Sequence, residues 1–314
     1  IPSEMSDTFA YTVRCPLGVV GLITPWNFPV AIPAWKIAPA LVAGNTVVLK
    51  GAEQTPWCSQ LVVEVFRDAG VPDGVVNLIQ GRGATAGARL VAHPDVEAIS
   101  FTGSTEIGHM IYAQGAARGA SVQCELGGKN PIIILEDANL DMAAAATAMG
   151  AFGSTGQRCT ATSRAIVHRS VVDEFIDRML AAAKVVVPGN GVHSATTMGP
   201  SVDDDQYGKV HEYLDIGKAE GVTVACGGGK AVEGDLRHGY FTQPTVFTNV
   251  HRGMRIAREE IFGPVLSVIA VDSFEEAIEV ANDVEYGLTS SLYTQDIGRV
   301  MRYVDDIDTG MLHV

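Results

Sequence analysis

Short β-branched runs alternate along the chain with longer stretches whose apolar residues recur every three or four positions. Residues 45–49 (NTVVL) predict a buried strand. Thr55-Pro56 predicts a helix start, since Thr favours the N-cap and Pro fits the first turn. Leu61, Val62, Val65 and Phe66 share one face of that predicted helix. Gly70 supplies a left-handed stop and Pro72 follows it. Strands are predicted at 75–79, 96–101 and 121–125, with a Gly-rich loop and short helix after the first and a helix over 106–118. This rhythm implies a parallel sheet covered by helices on both faces.

The glycine pair Gly127-Gly128 marks the one weak boundary. Beyond it, 131–135 (PIIIL) reads as a strand and the Ala-rich stretch 142–152 as a helix stopped by Gly153. A strand at 164–168 and a helix over 171–187 follow. A charged helix is predicted near 205–220, strands at 265–271 and 290–293, and helices near 275–282 and 296–304. The final run, Gly310 to Val314, reads as a strand that stops mid-run. The chain also opens without Met, so the sequence by itself suggests a piece of a longer protein.

Composition narrows the function. About 47% of the 314 residues are apolar, enough for a real core and about two domains. The net charge of -14 argues against nucleic acid and anionic membrane surfaces, which select Lys and Arg. No apolar run approaches the roughly 18–20 residues of a membrane span, and the first residues do not read as a secretion signal, so the expectation is a cytoplasmic protein. Five widely spaced cysteines, with no C-x-x-C, disfavour a disulfide framework or zinc site. The eight histidines include no H-E-x-x-H, so no metal is expected.

Several residues can carry chemistry. Cys159, in Gly156-Gln157-Arg158-Cys159-Thr160, has flexible neighbours and a cation beside it that can favour a thiolate, although an isolated free Cys is more often inert core. Glu125 closes a predicted strand beside two glycines, where a carboxylate can serve as a general base or simply face solvent. Asn27 sits in a turn stiffened by Pro25, Trp26, Phe28 and Pro29. Its amide can donate to an oxyanion or satisfy its own turn. Phe101-Thr102-Gly103-Ser104-Thr105 runs from strand to helix N-terminus, a phosphate-binding geometry. Gly81 to Gly87 is a second such loop. Lys50 and Glu53 follow a strand end, where an acid can accept from a ribose.

Singly these signals are weak. In this order, Thr24-Pro25-Trp26-Asn27-Phe28-Pro29, Phe101-Thr102-Gly103-Ser104-Thr105, Glu125-Leu126-Gly127-Gly128-Lys129, Gly156-Gln157-Arg158-Cys159 and Glu259-Glu260-Ile261-Phe262-Gly263-Pro264 resemble the signature blocks of the aldehyde dehydrogenases. Asn282 to Leu288 fits a further block. The resemblance covers essentially the whole chain. It implies an α/β fold: a Rossmann-type parallel-sheet cofactor domain plus an α/β catalytic domain, truncated at both ends. It implies a bridging oligomerisation arm at 1–15, with 8–14 as its strand, a partial dinucleotide-binding domain at 16–127 and a catalytic domain at 128–314.

By the same resemblance, Cys159 attacks an aldehyde, Asn27 and the Cys159 N–H hold the oxyanion, Glu125 activates the hydrolytic water and Lys36 assists the proton path. Lys50 and Glu53 would meet the adenine ribose. Gly103 and Ser104 would lie by the pyrophosphate, with Ile107 and Gly83 near the adenine. Glu260 and Phe262 would position the nicotinamide end, and Ile23, Thr24, Pro25, Trp26, Gly87, Phe101 and Leu126 complete the expected cofactor contacts. Glu53 would repel a 2′-phosphate, so NAD is expected ahead of NADP. Gly51 stands where the family usually has Pro, which suggests a looser ribose loop.

Residues 158–164 (RCTATSR) are similar to the α-ketoglutaric semialdehyde (2,5-dioxovalerate) branch. Succinic semialdehyde, betaine aldehyde or a broad range are the alternatives. The expected partners are a small aldehyde and, for the full-length protein, further copies in a homodimer or homotetramer. Rival readings are a thiol hydrolase without cofactor, a CoA-acylating relative, which generally does not need Glu125, and a non-catalytic structural relative. The span alone is expected to have little activity.

Overall fold

The structure is a computed structural model and describes residues 4–314. The chain divides into two compact units, Ile1–Leu126 and Gly127–Val314.

The first unit is built from β1 (Val19–Ile23), α1 (Ala31–Val42), β2 (Thr46–Lys50), α2 (Pro56–Asp68), β3 (Val76–Ile79), α3 (Ala88–Ala92), β4 (Val96–Thr102), α4 (Thr105–Ala117) and β5 (Ser121–Glu125). All its strands pair in parallel, in the order β3-β2-β1-β4-β5. Strands buried on both faces explain the runs of Val, Ile and Leu. Val20, Leu22, Val47 and Leu49 pack on one side with Ile37 of α1 and Val62 of α2. Ile23, Ile99 and Phe101 pack on the other with Leu90 of α3 and Ile111 of α4.

α2 starts after Thr55 with Pro56 in its first turn and ends before Gly70, whose φ is +86°. Its buried stripe differs from the expected one. Leu61 and Val65 are 44% and 66% exposed. Val62 and Phe66 of the expected face do pack inward, and Ser59 and Val63 join them in place of Leu61 and Val65. Apolar spacing alone did not say which side of the stripe faces the sheet.

β1 and α1 carry no clear sequence signal. Gly21 interrupts β1, and α1 contains Pro33 and Pro39. Residues 8–14, expected as a strand, are without strand structure, and Phe9, Tyr11 and Val13 are exposed. A strand needs a neighbour for its N–H and C=O groups, and none is paired with this segment among the described residues. Residues 1–3 of the expected arm lie outside the described residues.

The second unit contains β6 (Asn130–Ile134), α5 (Leu140–Phe152), β7 (Thr162–His168), α6 (Val172–Lys184), α7 (Asp204–Ala219), β8 (Thr223–Cys226), β9 (Thr245–Thr248), α8 (Arg255–Arg258), β10 (Val265–Val271), α9 (Phe274–Asn282), β11 (Thr289–Tyr293), α10 (Ile297–Asp306) and β12 (Met311–His313). Its seven strands run β12-β11-β6-β7-β10-β9-β8 and are parallel except for the β8–β9 pair. Alternate residues of β6 serve opposite faces: Ile132 and Ile134 pack with Phe175 and Met179 of α6, and Ile133 with Val210 and Leu214 of α7. Side-chain caps start α5, α7 and α9: Asn139 accepts from the Met142 N–H, Asp203 from that of Gln206 and Ser273 from that of Glu276. Each such cap is worth about 1 kcal/mol. α6 ends at Lys184, earlier than the apolar run to Val187 suggested.

Candidate active site

The strand order of the first unit reverses between β1 and β4, and the crevice at the C-terminal ends of such strands is where open α/β sheets bind ligands. A cavity of about 480 Å³ lies there. Ile23, Thr24 and Pro25 line it from the end of β1, and Lys50 and Glu53 from the end of β2. Gly83 and Gly87 contribute from a single π-helical turn, and Phe101, Gly103, Ser104 and Ile107 from β4 and α4. Trp26 and Leu126 do not line it; Leu126 packs on the core beside Gly108, where any Cβ would meet it at 2.2 Å.

The cavity suits a dinucleotide on its own terms. Thr24 is 4% exposed, and its hydroxyl lacks a protein partner. The Thr105 hydroxyl at the first turn of α4 is likewise unpartnered, and no side chain caps that helix. A buried orphan donor beside an uncapped helix N-terminus favours a phosphate. Gly83 and Gly87 leave open space where a side chain would stand. Lys50 is buried, and burial lowers its pKa against the opposing pull of Glu53. The expected loosening at Gly51 is not observed. Gly51 is buried, and a Cβ there would lie 1.9 Å from the Ser59 hydroxyl, so the glycine permits close packing of the loop on α2.

Asn27 accepts from the Phe28 N–H through Oδ1 at 3.1 Å, which fixes the plane of its amide. Glu125 is the last residue of β5 and is exposed. Its Oε1 accepts from Gln123 at 2.8 Å, and its carbonyl accepts from Gly103 N–H at 3.1 Å. Lys36, on α1, donates to the Ser100 hydroxyl at 2.7 Å. Burial pulls its pKa down to about 8, partly offset by Glu125 and Cys124.

In the second unit the nucleophile candidate sits between α5 and β7 in a strained segment. Ser154 and Thr155 take φ of 53° and 60°, and Gly156 follows at 66°. Such conformations persist only when surroundings impose them. Here Thr155 donates to the Gly199 carbonyl and Gln157 to that of Pro200. Arg158, expected to act on the thiol, donates from Nη2 to the Met149 and Gly150 carbonyls and so ties the segment to the end of α5. Cys159 is half-buried. Asn130, 4% exposed, donates from Nδ2 to the carbonyls of both Cys159 and Ala161, at 2.7 and 2.8 Å.

Glu260 is fixed by the Gly128 N–H, which donates to its Oε1 at 2.9 Å, and burial raises its pKa. A Cβ on Gly127 would lie 2.5 Å from Glu260 Oε2, so the glycine pair is a bed for this carboxylate. Phe262 is also left-handed, at φ 58°, and Gln206 donates to its carbonyl and that of Ile261. Buried Arg164 donates to the carbonyls of Lys129, Val280 and Ala281. Asn130, Arg164 and Gln206 went unnoticed in the sequence because their work is on backbone carbonyls far away in the chain. Among the described residues no group of three or more His, Cys, Asp or Glu is arranged to hold a metal.

A comparison with known protein families matches residues 1–314 to the aldehyde dehydrogenase family. The chain belongs to that family. It is 47% identical over 314 residues to an alpha-ketoglutaric semialdehyde dehydrogenase of Bacillus subtilis, covering 100% of this chain and 64% of that protein. It is 46% identical over 308 residues to an alpha-ketoglutarate semialdehyde dehydrogenase of Haloferax volcanii, covering 98% and 64%. A point mutant of Staphylococcus aureus betaine aldehyde dehydrogenase, solved in complex with NAD+, superposes with a TM-score of 0.97 at 40% identity, covering 100% of this chain and 63% of that one. The chain thus spans less than two thirds of the length of these relatives.

Proposed function

We propose that the full-length protein oxidises an aldehyde to a carboxylate with NAD+. The observation that carries this reading is the cavity at the strand reversal of the first unit, with its unpartnered Thr24 hydroxyl and uncapped α4. A thiol hydrolase has no use for it.

In this reading the Cys159 thiolate attacks the aldehyde carbon, and the carbonyl oxygen becomes an oxyanion. The Asn27 amide and the Cys159 N–H hold that charge; one such donor is worth about 2.7–4 kcal/mol of barrier. Asn130 anchors the Cys159 carbonyl on the far side of the nucleophile's Cα. The bound nicotinamide supplies the hydride acceptor. Thr24, Lys50, Gly103 and Ser104 would hold its phosphate and ribose groups, and Glu260 and Phe262 its nicotinamide end. Glu125 then takes a proton from water that attacks the acyl group on Cys159, and the thiolate leaves. Glu53 disfavours a 2′-phosphate, so NAD is preferred to NADP.

We infer that α-ketoglutaric semialdehyde is the substrate, supported by the names of the two sequence relatives and by the run RCTATSR at 158–164. The structural likeness to betaine aldehyde dehydrogenase favours betaine aldehyde as the second reading. The protein is proposed to work as a homodimer or homotetramer. The test is the rate of NADH formation by the full-length protein on α-ketoglutaric semialdehyde, succinic semialdehyde and betaine aldehyde. A kcat/KM at least tenfold higher on the first supports the assignment, and equal values on all three reject it. No NADH with any aldehyde rejects the dehydrogenase reading.

A further inference from the structure

Four side chains of the first unit form a continuous hydrogen-bonded line from α1 to the end of β5. Lys36 Nζ donates to Ser100 Oγ at 2.7 Å, Ser100 Oγ to Gln123 Oε1 at 2.5 Å, and Gln123 Nε2 to Glu125 Oε1 at 2.8 Å. The sheet produces this line. Ser100 of β4 and Gln123 of β5 are direct partners across parallel strands. Gln123 and Glu125 are two residues apart and therefore share a face.

We propose that Ser100 and Gln123 are positioning residues: a strut that fixes which oxygen of Glu125 acts as the base. The inference rests on the reading of Glu125 given above. A glutamate on an exposed strand end is free to sample several rotamers, and ordering it costs entropy. The strut occupies Oε1 and leaves Oε2 for water. The direction of every bond is set from one end. An ammonium can only donate, so Ser100 receives from Lys36 and gives its own hydrogen to Gln123. With its oxygen engaged, the Gln123 amide must present N–H to the carboxylate.

During acyl hydrolysis the water O–H bond breaks and its proton goes to Oε2. The water oxygen bonds the acyl carbon, and the C–S bond breaks to return the Cys159 thiolate. The proton on Glu125 is then lost to solvent. The amide of Gln123 is too weak an acid to relay it, so the line orients and does not conduct. Loss of the strut therefore slows hydrolysis and spares the earlier attack by Cys159.

Pre-steady-state NADH formation by the full-length protein separates the two stages. Gln123→Leu and Ser100→Ala are expected to keep the first-turnover rate within about twofold and to lower steady-state turnover about tenfold, since small misplacements of a catalytic group cost on this scale. Ser100→Thr, which keeps the hydroxyl, should restore turnover. The double variant should be no slower than Gln123→Leu, because both break one line. Unchanged turnover in Gln123→Leu and Ser100→Ala, or additive losses in the double variant, would overturn the strut. So would equal loss in both stages with a lowered Tm, which marks a merely structural role. Full turnover in Glu125→Gln would instead overturn the underlying assignment of the base.

Discussion

Asn130 holds the backbone of Cys159 from inside the protein. Its amide nitrogen donates at 2.7 Å to the Cys159 carbonyl and, past the nucleophile, at 2.8 Å to that of Ala161. The two bonds anchor the turn that leads from the nucleophile into β7. Gly128 must be glycine for this, since a Cβ would lie 2.7 Å from both the Asn130 Oδ1 and the Cys159 carbonyl.

Replacing Asn130 by Ala removes its hydrogen bonds to the Cys159 and Ala161 carbonyls, the second of them buried. An unsatisfied buried acceptor costs about 1–3 kcal/mol, so stability in urea should fall by about that amount for the Ala161 carbonyl. Turnover should fall further than substrate affinity, because the residue whose carbonyl is released also supplies the thiol and, through its own N–H, the proposed oxyanion donor. Asn130→Asp should be worse still, with a carboxylate facing two carbonyls. The measurements are kcat, KM and the rate of Cys159 alkylation. Full activity in Asn130→Asp would show that the anchor is dispensable.

The buried Lys129 gives a pH dependence with a definite sign. It is 1% exposed, its Nζ lacks a hydrogen-bond partner, and burial pulls its pKa down to about 7, reinforced by Arg164 and opposed by Glu260 and Glu259. Unfolded, it titrates near the ordinary lysine value of 10.5. Between these values the unfolded chain binds the proton and the folded chain does not, so stability rises with pH. The slope is at most about 1.4 kcal/mol per pH unit. Unfolding measured at pH 7, 8 and 9 should show wild type gaining stability relative to Lys129→Met. Parallel profiles for the two proteins would contradict this.

Glu53 is exposed where it lines the first unit's cavity, close enough to buried Lys50 to oppose the lowering of its pKa. Glu53→Gln removes an anion from the proposed ribose site and leaves its hydrogen-bonding shape. The ratio of kcat/KM for NADP to that for NAD should rise at least about tenfold, equivalent to about 1.4 kcal/mol. An unchanged ratio would place the discrimination elsewhere.

Much of this architecture could be read from local pattern. Strands such as β5 and β10 are continuous apolar or alternating runs, and α2 and α5 end at Gly70 and Gly153 as expected, Gly70 through a left-handed φ of +86°. β1 and α1 were hidden because Gly21, Pro33 and Pro39 act locally as breakers while the packing of Leu22 and Ile37 overrides them. The orientation of α2 was hidden because periodicity gives a stripe and not the identity of the surface that covers it. Cys159, Glu125 and Asn27 stood out by motif. Asn130, Arg164, Gln206, Ser100 and Gln123 did not, since each acts through a partner that only the folded chain brings near.

The tightest constraint on the nucleophile segment is Gly156. Its φ is +66°, and a Cβ there would lie 2.1 Å from the Gly263 carbonyl and 3.0 Å from that of Ala151. The left-handed backbone alone makes an alanine cost more than about 1 kcal/mol, and the contact is with backbone that no rotamer change can relieve. Either the segment lifts away from the Glu259 to Pro264 turn or that turn moves, and Glu260 and Phe262 lie on it. Gly156→Ala should therefore reduce turnover more severely than it reduces stability, and should weaken NAD binding as well. Calorimetric NAD binding together with Tm separates the effects. A variant with a normal Tm and normal turnover would show that this close approach is not what sets the position of Cys159.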